Sequence, residues 1–249
     1  MTGRGILYVL ATPIGHLGDL SQRALETLRE ADAMYAEDTR HTGLLLRHYG
    51  ISLPLLSCHQ HNELRRIPEI LARLERGEHV VLASDAGTPG VSDPGLRVVE
   101  AVLKAGGRVS PLPGPSAVTA ALSVAGFPAS PFAFGGFLPR KKGPRRRALE
   151  GWREVGVTLV LYEAAPRLVN LLEAATEVYG PHHEAAVARE LTKMFEDVRR
   201  GSLQELQDHY REEEPRGECT IVLGPVPKET GPNRKRFSEG AGGETGQTG

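Results

Sequence analysis

VVLASDAGTPGVSDPG, residues 80–95, joins an apolar strand to a long turn that is rich in glycine and proline. The apolar run 79–83 predicts a strand, and the glycines and prolines of 87–95 exclude regular structure from the turn that follows. We expect Asp93 to cap a helix that has Pro94 in its first turn and runs to about Ala105. Because strand-to-helix connections usually have about 2 to 6 residues, a turn of this length favours a ligand site over a plain connection.

The composition of the chain is that of a globular protein. Its 249 residues include 30 basic and 31 acidic ones, so no overall charge attracts it to nucleic acid or to a membrane surface. The two cysteines, Cys58 and Cys219, exclude a disulfide framework and indicate a reducing compartment. The sequence shows neither a signal peptide nor an apolar run near the roughly 20 residues that span a bilayer. We therefore expect a cytoplasmic protein.

Strand-like and helix-like segments alternate from Ile6 to Leu223, which predicts an α/β fold. We expect two α/β domains, an N-terminal one over residues 1–116 and a C-terminal one over residues 117–225. Ser202 and Glu205 have the spacing of a capping box and predict a helix that starts just after Ser202. Apolar residues become rare after that domain, and we predict that residues 226–249 form a disordered, low-complexity tail.

Three Gly/Pro turns follow strands in the first half of the chain, at residues 12–19, 84–95 and 113–116. A doubly wound sheet brings the carboxyl ends of its strands to one edge, where ligands bind. The sequence contains neither a GxxxxGK[ST] loop nor a GxGxxG turn after a strand, which excludes the usual ATP and NAD sites. The turns therefore predict a cleft that holds its ligand largely through backbone groups.

Two charged runs follow strands and leave two interpretations open. In EDTRH, residues 37–41, a helix start explains the two acids, while an arginine and a histidine beside them could bind phosphate and transfer protons. In ARELTK, residues 188–193, the alternative to a functional site is an ion-pair cluster at the surface. The histidines of CHQH, residues 58–61, alternate in direction on leaving a strand, so we predict no metal site.

RKKGPRRR, residues 140–147, has six cations in eight positions and no acid. We expect a positive patch on a loop that Gly143 and Pro144 hold open. Because the rest of the chain is balanced in charge, the phosphate backbone of a nucleic acid is the natural partner of this patch. The alternative is an ordinary solvated basic loop that precedes a helix.

Six segments carry a resemblance to a known family, and they run in order from about Gly5 to Gly224. They are LYVLATPIGHLGDLS (7–21), AEDTRHTGLLL (36–46), SDAGTPGVSDPG (84–95), PLPGPSAVTAALSVAGFP (111–128), GFLPRKKGPRR (136–146) and ARELTK (188–193). The chain resembles the tetrapyrrole methylase superfamily, and within it the methyltransferases that modify a cytidine ribose 2′-hydroxyl in small-subunit (16S) ribosomal RNA. The resemblance implies a class III methyltransferase fold, a homodimer, and S-adenosylmethionine in a cleft between two α/β domains. This superfamily binds that cofactor without a GxGxxG turn.

The resemblance also implies functional roles for the residues of the three turns and of the charged runs. Cofactor binding falls to Pro13, Asp85, Ala86, Gly87, Pro89, Gly90, Val91, Pro115, Ser116 and Ala117. Candidates for the catalytic groups that accept the hydroxyl proton are Glu37, Asp38, His41 and Glu190, with Glu163 as a further one. Candidates for RNA binding are Arg40, Arg140, Lys141, Lys142, Arg145, Arg146, Arg147, Arg189 and Lys193. Two other functions stay open: methylation of a tetrapyrrole, against which the basic run argues, and RNA binding without catalysis.

Overall fold

The computed structural model describes residues 5–226, which form two five-stranded sheets with helices packed against both. The predicted disordered tail, apart from Val226, lies outside the described residues. Strands and helices alternate along most of the chain, so the predicted α/β class is confirmed.

The first half of the chain forms a sheet in which every strand pair is parallel. The strand order is β3-β2-β4-β1-β5. Because β4, β1 and β5 are neighbours, the three Gly/Pro turns that follow them meet at one edge of the sheet, as the sequence predicts. The elements are β1 (Ile6–Leu10), α1 (Gln22–Glu30), β2 (Ala33–Ala36), α2 (Thr39–His48), β3 (Leu55–Ser57), α3 (Glu63–Glu75), β4 (Val80–Ala83), α4 (Leu96–Lys104) and β5 (Arg108–Leu112).

Helices cover both faces of this sheet, and the central strands are therefore apolar at every position. All four residues of β4 are buried. Val80 and Leu82 pack on the α3–α4 side with Ile70, whereas Val81 and Ala83 pack on the other side with the residues of α1 and α2. Burial on both faces explains why the strand reads as a continuous apolar run instead of an alternating one.

The second half of the chain forms a mixed sheet with the order β6-β7-β10-β8-β9. β6 and β7 are parallel, and the other pairs are antiparallel. The last strand along the chain, β10, lies in the middle of the sheet. One face packs against α5 and the other against α6, α7 and α8. The elements are α5 (Ala117–Ala125), β6 (Phe132–Phe137), α6 (Lys142–Val155), β7 (Thr158–Ala164), α7 (Leu168–Tyr179), β8 (Glu184–Arg189), β9 (Asp197–Ser202), α8 (Leu203–Glu212) and β10 (Glu218–Leu223).

The prediction that Asp93 caps α4 is wrong. The capping residue is Gly95, whose φ of 130° suits glycine alone, and the N–H groups at the helix start are satisfied from another helix. The buried carboxylate of Glu63, at the start of α3, accepts hydrogen bonds from the N–H groups of Gly95 (3.0 Å) and Val98 (3.4 Å). Asp93 is therefore free of this task and lies in the cleft described below.

The prediction of an open basic loop at residues 140–147 is also wrong for most of the segment. α6 begins at Lys142, and Pro144 fits in its first turn because the N–H groups of a first turn have no partner inside the helix. Arg145 is only 5% exposed, and its guanidinium donates to the carbonyl groups of Pro139 and Arg140. The side chain of Arg145 therefore fastens the loop and is not available to an external phosphate.

The sequence analysis did not predict β9, an edge strand that pairs antiparallel with β8 from Asp197 to Ser202. Its sequence, DVRRGS, carries one apolar residue and lacks the alternation that indicates a strand. The pairing with β8 specifies this strand, and local sequence preference does not.

Candidate active site

A cleft of about 370 Å³ lies between the two sheets, at the ends of β1, β2 and β4 on one side and of β6, β7, β8 and β10 on the other. The start of α5 forms part of its wall. The lining residues are Ile14, Glu37, Asp85, Ala86, Gly87, Thr88, Val91, Ser92, Asp93, Ser116, Ala117, Phe137, Tyr162, Glu163, Ala164, Ala188, Glu190, Leu191, Lys193, Glu218, Cys219 and Thr220.

The loops after β1, β2 and β4 are tied together by hydrogen bonds. Thr12 and Gly87 exchange both backbone hydrogen bonds, at 2.9 and 3.1 Å, and the Thr12 hydroxyl donates to the carbonyl of Ser84 at 3.1 Å. The Asp85 carboxylate accepts the N–H of Asp38 at 2.9 Å. One oxygen of Asp85 thus has a structural role, and the three loops form one fixed wall of the cleft.

The two halves of the chain touch at one end of the cleft. The N–H of His16 donates to the hydroxyl of Thr192 at 3.1 Å. A Cβ on Gly15 would lie 2.5 Å from Cγ of Lys193 and 2.7 Å from the Thr192 hydroxyl oxygen. Only glycine permits this close approach, so Gly15 fixes how tightly the cleft is closed at this end.

The run 188–193 forms an ion-pair cluster, which is one of the two interpretations left open by its sequence. The Lys193 ammonium donates to Glu190 and to Glu218, both at 2.9 Å, and Glu190 also accepts the N–H of Glu218 at 3.0 Å. Burial raises the pKa of Glu190, but these hydrogen bonds and the charge of Lys193 outweigh it, so the net pKa is lowered. The cluster lies in the wall of the cleft, where Glu190, Lys193 and Glu218 all face the cavity.

Glu163 is buried in the same wall and has partners there. One of its oxygens accepts from Nε of Arg167 at 2.6 Å and from the N–H of Ala164 at 3.0 Å. The ion pair with Arg167 fixes the position of this carboxylate in the wall.

The run 37–41 is divided by the structure between the cleft and the surface. Asp38 caps α2 by accepting the N–H of Arg40 and pairs with its guanidinium, and these hydrogen bonds lower the pKa of Asp38 to about 2. Arg40 is 90% exposed along its side chain, and His41 is exposed and outside the cleft lining. Of this run, only Glu37 lines the cleft.

Among the carboxylates that line the cleft, Glu37 and Asp93 have raised pKa values. Burial raises the pKa of Glu37, and the charge of Asp85 raises it further. Burial also raises the pKa of Asp93 to about 6, with further contributions from the charges of Glu37, Asp85 and Glu218. The lining contains six carboxylate side chains and one ammonium group, so the cleft favours a positively charged ligand.

The structure brings most of the expected cofactor residues together in the lining, namely Asp85, Ala86, Gly87, Val91, Ser116 and Ala117. Pro13, Pro89, Gly90 and Pro115 do not line the cleft. Gly90 closes the turn behind it by donating its N–H to the carbonyl of Pro94 at 3.0 Å. Sequence reasoning missed Phe137, Tyr162, Glu218 and Thr220, although their positions at or near strand ends were a usable signal, and it gave Asp93 the role of a helix cap.

The cations expected to bind RNA are distributed over several surfaces. Among the described residues, the side chains of Arg140, Lys141 and Arg147 are exposed and have no ionic partner. Lys142 pairs with Glu177 at 2.7 Å and Arg146 with Glu150 at 2.8 Å. Arg189 faces a second cavity, of about 330 Å³, on the other side of Glu190.

Over residues 5–226, no group of three or more His, Cys, Asp or Glu side chains is arranged to hold a metal ion. In the same range, no helix has both the length and the apolar character needed to cross a membrane.

Comparison with known proteins identifies a family to which this chain is similar. The model of the tetrapyrrole (corrin/porphyrin) methylases matches residues 6–207. A protein of Synechocystis sp. named ribosomal RNA small subunit methyltransferase I is 45% identical over 236 residues, which are 94% of this chain and 83% of its own. The protein of the same name from Thermotoga maritima is 45% identical over 219 residues, 88% of this chain and 98% of its own.

Solved structures share the fold. A uroporphyrin-III-C-methyltransferase from Thermus thermophilus is 25% identical with a TM-score of 0.61, covering 89% of this chain and 94% of its own. Diphthine synthase is 16% identical with a TM-score of 0.68, covering 88% and 89%. Because the family model matches more than half of the chain and the relatives match most of it at 45% identity, this protein belongs to the tetrapyrrole methylase family.

Proposed function

We propose that this protein transfers a methyl group from S-adenosylmethionine to the 2′-hydroxyl of a cytidine ribose in the ribosomal RNA of the small subunit. The observation that carries the proposal is the 45% identity to proteins named for small-subunit ribosomal RNA methylation, over 94% of the chain. The match includes the residues of both walls of the cleft, so it covers the cofactor side and the substrate side together.

The cleft fits the charge of this cofactor. S-adenosylmethionine carries a sulfonium and an ammonium group, and the carboxylate-rich lining of the cleft attracts both. It also carries a carboxylate, and α5 begins in the cleft wall at Ala117 without a side-chain cap from Ser116. The N–H of Val118 hydrogen-bonds to the Tyr162 phenol, and the other N–H groups of that first turn would be available to an anionic group.

The residues that would hold the cofactor are the six that line the cleft from the turns, with Pro13, Pro89, Gly90 and Pro115 shaping those turns from behind. When bound, S-adenosylmethionine supplies an electrophilic methyl group. The protein has to place the ribose oxygen in line with that group and to keep water out, since alignment supplies most of the rate enhancement in such a transfer. Phe137, Tyr162 and Val91 provide the apolar part of the lining for this purpose.

A second requirement is a group that accepts the hydroxyl proton. Of the four candidates from the sequence, Glu37 and Glu190 line the cleft with other carboxylates, whereas Asp38 and His41 lie outside it. We assign Asp38 and His41 to the start of α2, where Asp38 orients Arg40 for contact with RNA. Lys193 neutralises Glu190 and Glu218, so its expected role is to shape the wall near the ribose.

Arg140, Lys141 and Arg147 are the best candidates for phosphate contacts. They lie just beyond Phe137, which itself lines the cleft, and no carboxylate neutralises them among the described residues. Lys142, Arg146, Arg40 and Arg189 would add weaker contacts, because the first three already have ionic partners and Arg189 faces the second cavity. Unpaired surface cations contribute most to phosphate binding because they release counterions.

The proposal includes a homodimer in the cytoplasm, as the resemblance implies. Leu64 and Leu96 come directly after Glu63 and Gly95, which are hydrogen-bonded to each other. Their side chains are 62% and 68% exposed, and we propose that they contact a second copy of the chain. Sedimentation of the purified protein tests the dimer. Cys58 and Cys219 are both free, in keeping with a reducing compartment.

One experiment tests the activity against its alternatives. Purified protein is incubated with S-adenosylmethionine labelled in the methyl group and with small-subunit ribosomal RNA, assembled small subunits or a tetrapyrrole. Label in RNA, at a 2′-O-methylated cytidine after nuclease digestion, is the expected result. Label in the tetrapyrrole alone would contradict the proposal that RNA is the substrate. Label in no acceptor would favour an RNA-binding protein without catalysis.

A further inference from the structure

We infer that Asp93 accepts the proton of the ribose hydroxyl that receives the methyl group. This inference rests on the proposed function and assigns one of its chemical roles to a residue that the sequence places at a helix cap. Asp93 lies in the cleft, and ion pairs or backbone hydrogen bonds occupy the other carboxylates of the lining.

Asp93 is held in the cleft by a turn that is anchored on both sides. The N–H of Gly90 donates to the carbonyl of Pro94 at 3.0 Å, and the N–H of Gly95 donates to Glu63 at 3.0 Å. The side chain of Asp93 is half-buried and lines the cavity. Its position is therefore fixed by its neighbours, while its own carboxylate takes no part in capping α4.

Three of the other carboxylates in the lining form ion pairs with cations. Glu163 pairs with Arg167, and Glu190 and Glu218 share Lys193. The hydrogen bond and the charge of Lys193 lower the pKa of Glu190 and make it a poorer proton acceptor.

The two remaining carboxylates accept hydrogen bonds from the backbone. Asp85 accepts the N–H of Asp38 at 2.9 Å, and Glu37 accepts a backbone hydrogen bond from Asp85. The backbone donor occupies Glu37 and lowers its pKa in part, while burial and the charge of Asp85 leave that pKa raised. Asp93 has a hydrogen bond from the hydroxyl of Ser84, which is a weaker partner than a cation.

The groups that face Asp93 from the surrounding elements are acidic or neutral. They are Glu37 from the end of β2, Asp85 from the turn after β4, Glu218 from β10 and the Tyr162 phenol from β7. Burial and the three negative charges raise the pKa of Asp93 to about 6. Asp93 is then mostly ionised at neutral pH and is a stronger base than an ordinary carboxylate, which suits general base catalysis.

The step balances without a further reactant. The bond from the ribose oxygen to the methyl carbon forms as the bond from that carbon to the donor sulfur breaks, and the donor leaves as a neutral thioether. The hydroxyl proton passes to the carboxylate of Asp93, which later releases it to water.

The first test compares the variants Asp93→Asn and Asp208→Asn with the wild type. Asp208 lies on the exposed face of α8, where the same substitution leaves the cleft unchanged. With small-subunit RNA as acceptor, we expect kcat to fall about 10²- to 10⁴-fold in Asp93→Asn alone. Calorimetric titration with S-adenosylmethionine should give both variants a Kd within about threefold of the wild type, about 0.7 kcal/mol or less.

A second test separates a base from a structural residue. In the wild type, kcat/KM, which reports the pKa values of the free enzyme, should rise with pH around a midpoint near 6. Glu37→Gln removes a negative charge that raises the proton affinity of Asp93, so the midpoint should move to lower pH. The carboxyl ¹³C signal of Asp93 should titrate with the same midpoints in both proteins, which is a measurement independent of activity.

The results that overturn the inference are distinct from those that overturn the proposed function. If the wild type methylates RNA but Asp93→Asn keeps its kcat, or loses rate only through cofactor affinity, Asp93 is not the proton acceptor. A carboxyl signal that titrates near 4 overturns the inference as well. If the wild type transfers no label to RNA under any condition, the proposed function falls, and this inference falls with it.

Discussion

The carboxylate of Glu63 accepts a hydrogen bond from the backbone N–H of Gly95 at 3.0 Å, so that a side chain of α3 caps α4. Glu63 is only 4% exposed, and the helix start that it serves follows directly on the turn that carries Asp93. A single buried carboxylate thus holds one end of the turn that lines the cleft.

We predict that Glu63→Ala lowers the free energy of unfolding by about 1 to 3 kcal/mol, because two N–H groups at the start of α4 lose their acceptor. Urea denaturation at neutral pH measures the effect. The matched control is Glu100→Ala, which removes an exposed glutamate that pairs with Lys104 on α4 itself and should cost less than about 0.5 kcal/mol. Equal losses in the two variants would contradict the assigned cap.

Within the basic run 140–147, we expect one cation to stabilise the fold and others to bind RNA. Arg145→Ala leaves the carbonyl groups of Pro139 and Arg140 without their donor, so we expect it to lower the free energy of unfolding by about 1 to 3 kcal/mol. Arg147→Ala should leave stability unchanged and weaken RNA binding. It should also reduce the slope of log K against log salt by about 0.7, the value for one phosphate contact on a single strand.

Filter binding at several salt concentrations, together with urea denaturation of the same preparations, checks both expectations. Arg145→Lys is informative beside them, since it keeps the charge and loses the planar fork that reaches two carbonyl groups. A salt slope that changes in Arg145→Ala but not in Arg147→Ala would refute the division.

The stability of the protein should depend on pH through Asp93. Burial and neighbouring anions raise its pKa from 3.8 to about 6 in the folded state, so the folded state binds a proton more tightly than the unfolded chain. This contribution is fully present below pH 4 and is lost as the pH rises through 6. Asp93→Asn cannot ionise, and above pH 6 it should exceed the wild type in free energy of unfolding by on the order of 1 to 3 kcal/mol.

Urea denaturation of the wild type and Asp93→Asn between pH 4 and pH 7.5 measures this difference, which should grow with pH and level off. Asp208→Asn serves as the control and should show no such trend, because Asp208 is exposed on α8. A difference between wild type and Asp93→Asn that is constant over this range would rule out the raised pKa.

Gly15→Ala should open the cleft at the end where the two halves of the chain meet. The added Cβ would lie 2.5 Å from Cγ of Lys193, so the loop must move and the hydrogen bond from His16 to Thr192 is lost. A loss of about 1 kcal/mol raises the Kd for S-adenosylmethionine roughly fivefold, which calorimetry resolves.

Gly151→Ala is the matched control for this substitution. A Cβ on Gly151, inside α6, meets no atom within 4 Å, and alanine favours a helix over glycine by about 1 kcal/mol. This variant should be more stable than the wild type and should bind the cofactor as the wild type does. Equal cofactor affinity in the wild type and both variants would show that the contact at Gly15 does not shape the cleft.

The sequence predicted most of the fold where local signals and tertiary packing agree. The alternation of strands and helices between Ile6 and Leu223 is present, and so is the capping box of Ser202 and Glu205. The helix α4 was predicted but its cap was not, because the acceptor, Glu63, lies 32 positions away along the chain. No local pattern reveals such a partner.

The sequence predicted the position of the candidate site better than it predicted the roles of the individual residues. Parallel strands bring the three Gly/Pro turns to one edge, and six of the ten expected cofactor residues line the cleft there. Which carboxylate is free depends on partners such as Arg167 and Lys193, which reach the cleft from the second sheet. The division into domains at residue 116 stays a prediction, as do the roles assigned to single residues.

The central position of β10 links completion of the cleft to the order in which the chain is made. The first sheet has all of its strands once Leu112 has left the ribosome, but β7 and β8 lack their common neighbour until residues 218–223 follow. Glu218, Cys219 and Thr220 are also part of the cleft lining. A nascent chain that stops before β10 therefore has exposed strand edges and an incomplete cleft. We expect proteases to degrade such a chain, so that it does not accumulate as an enzyme of reduced activity.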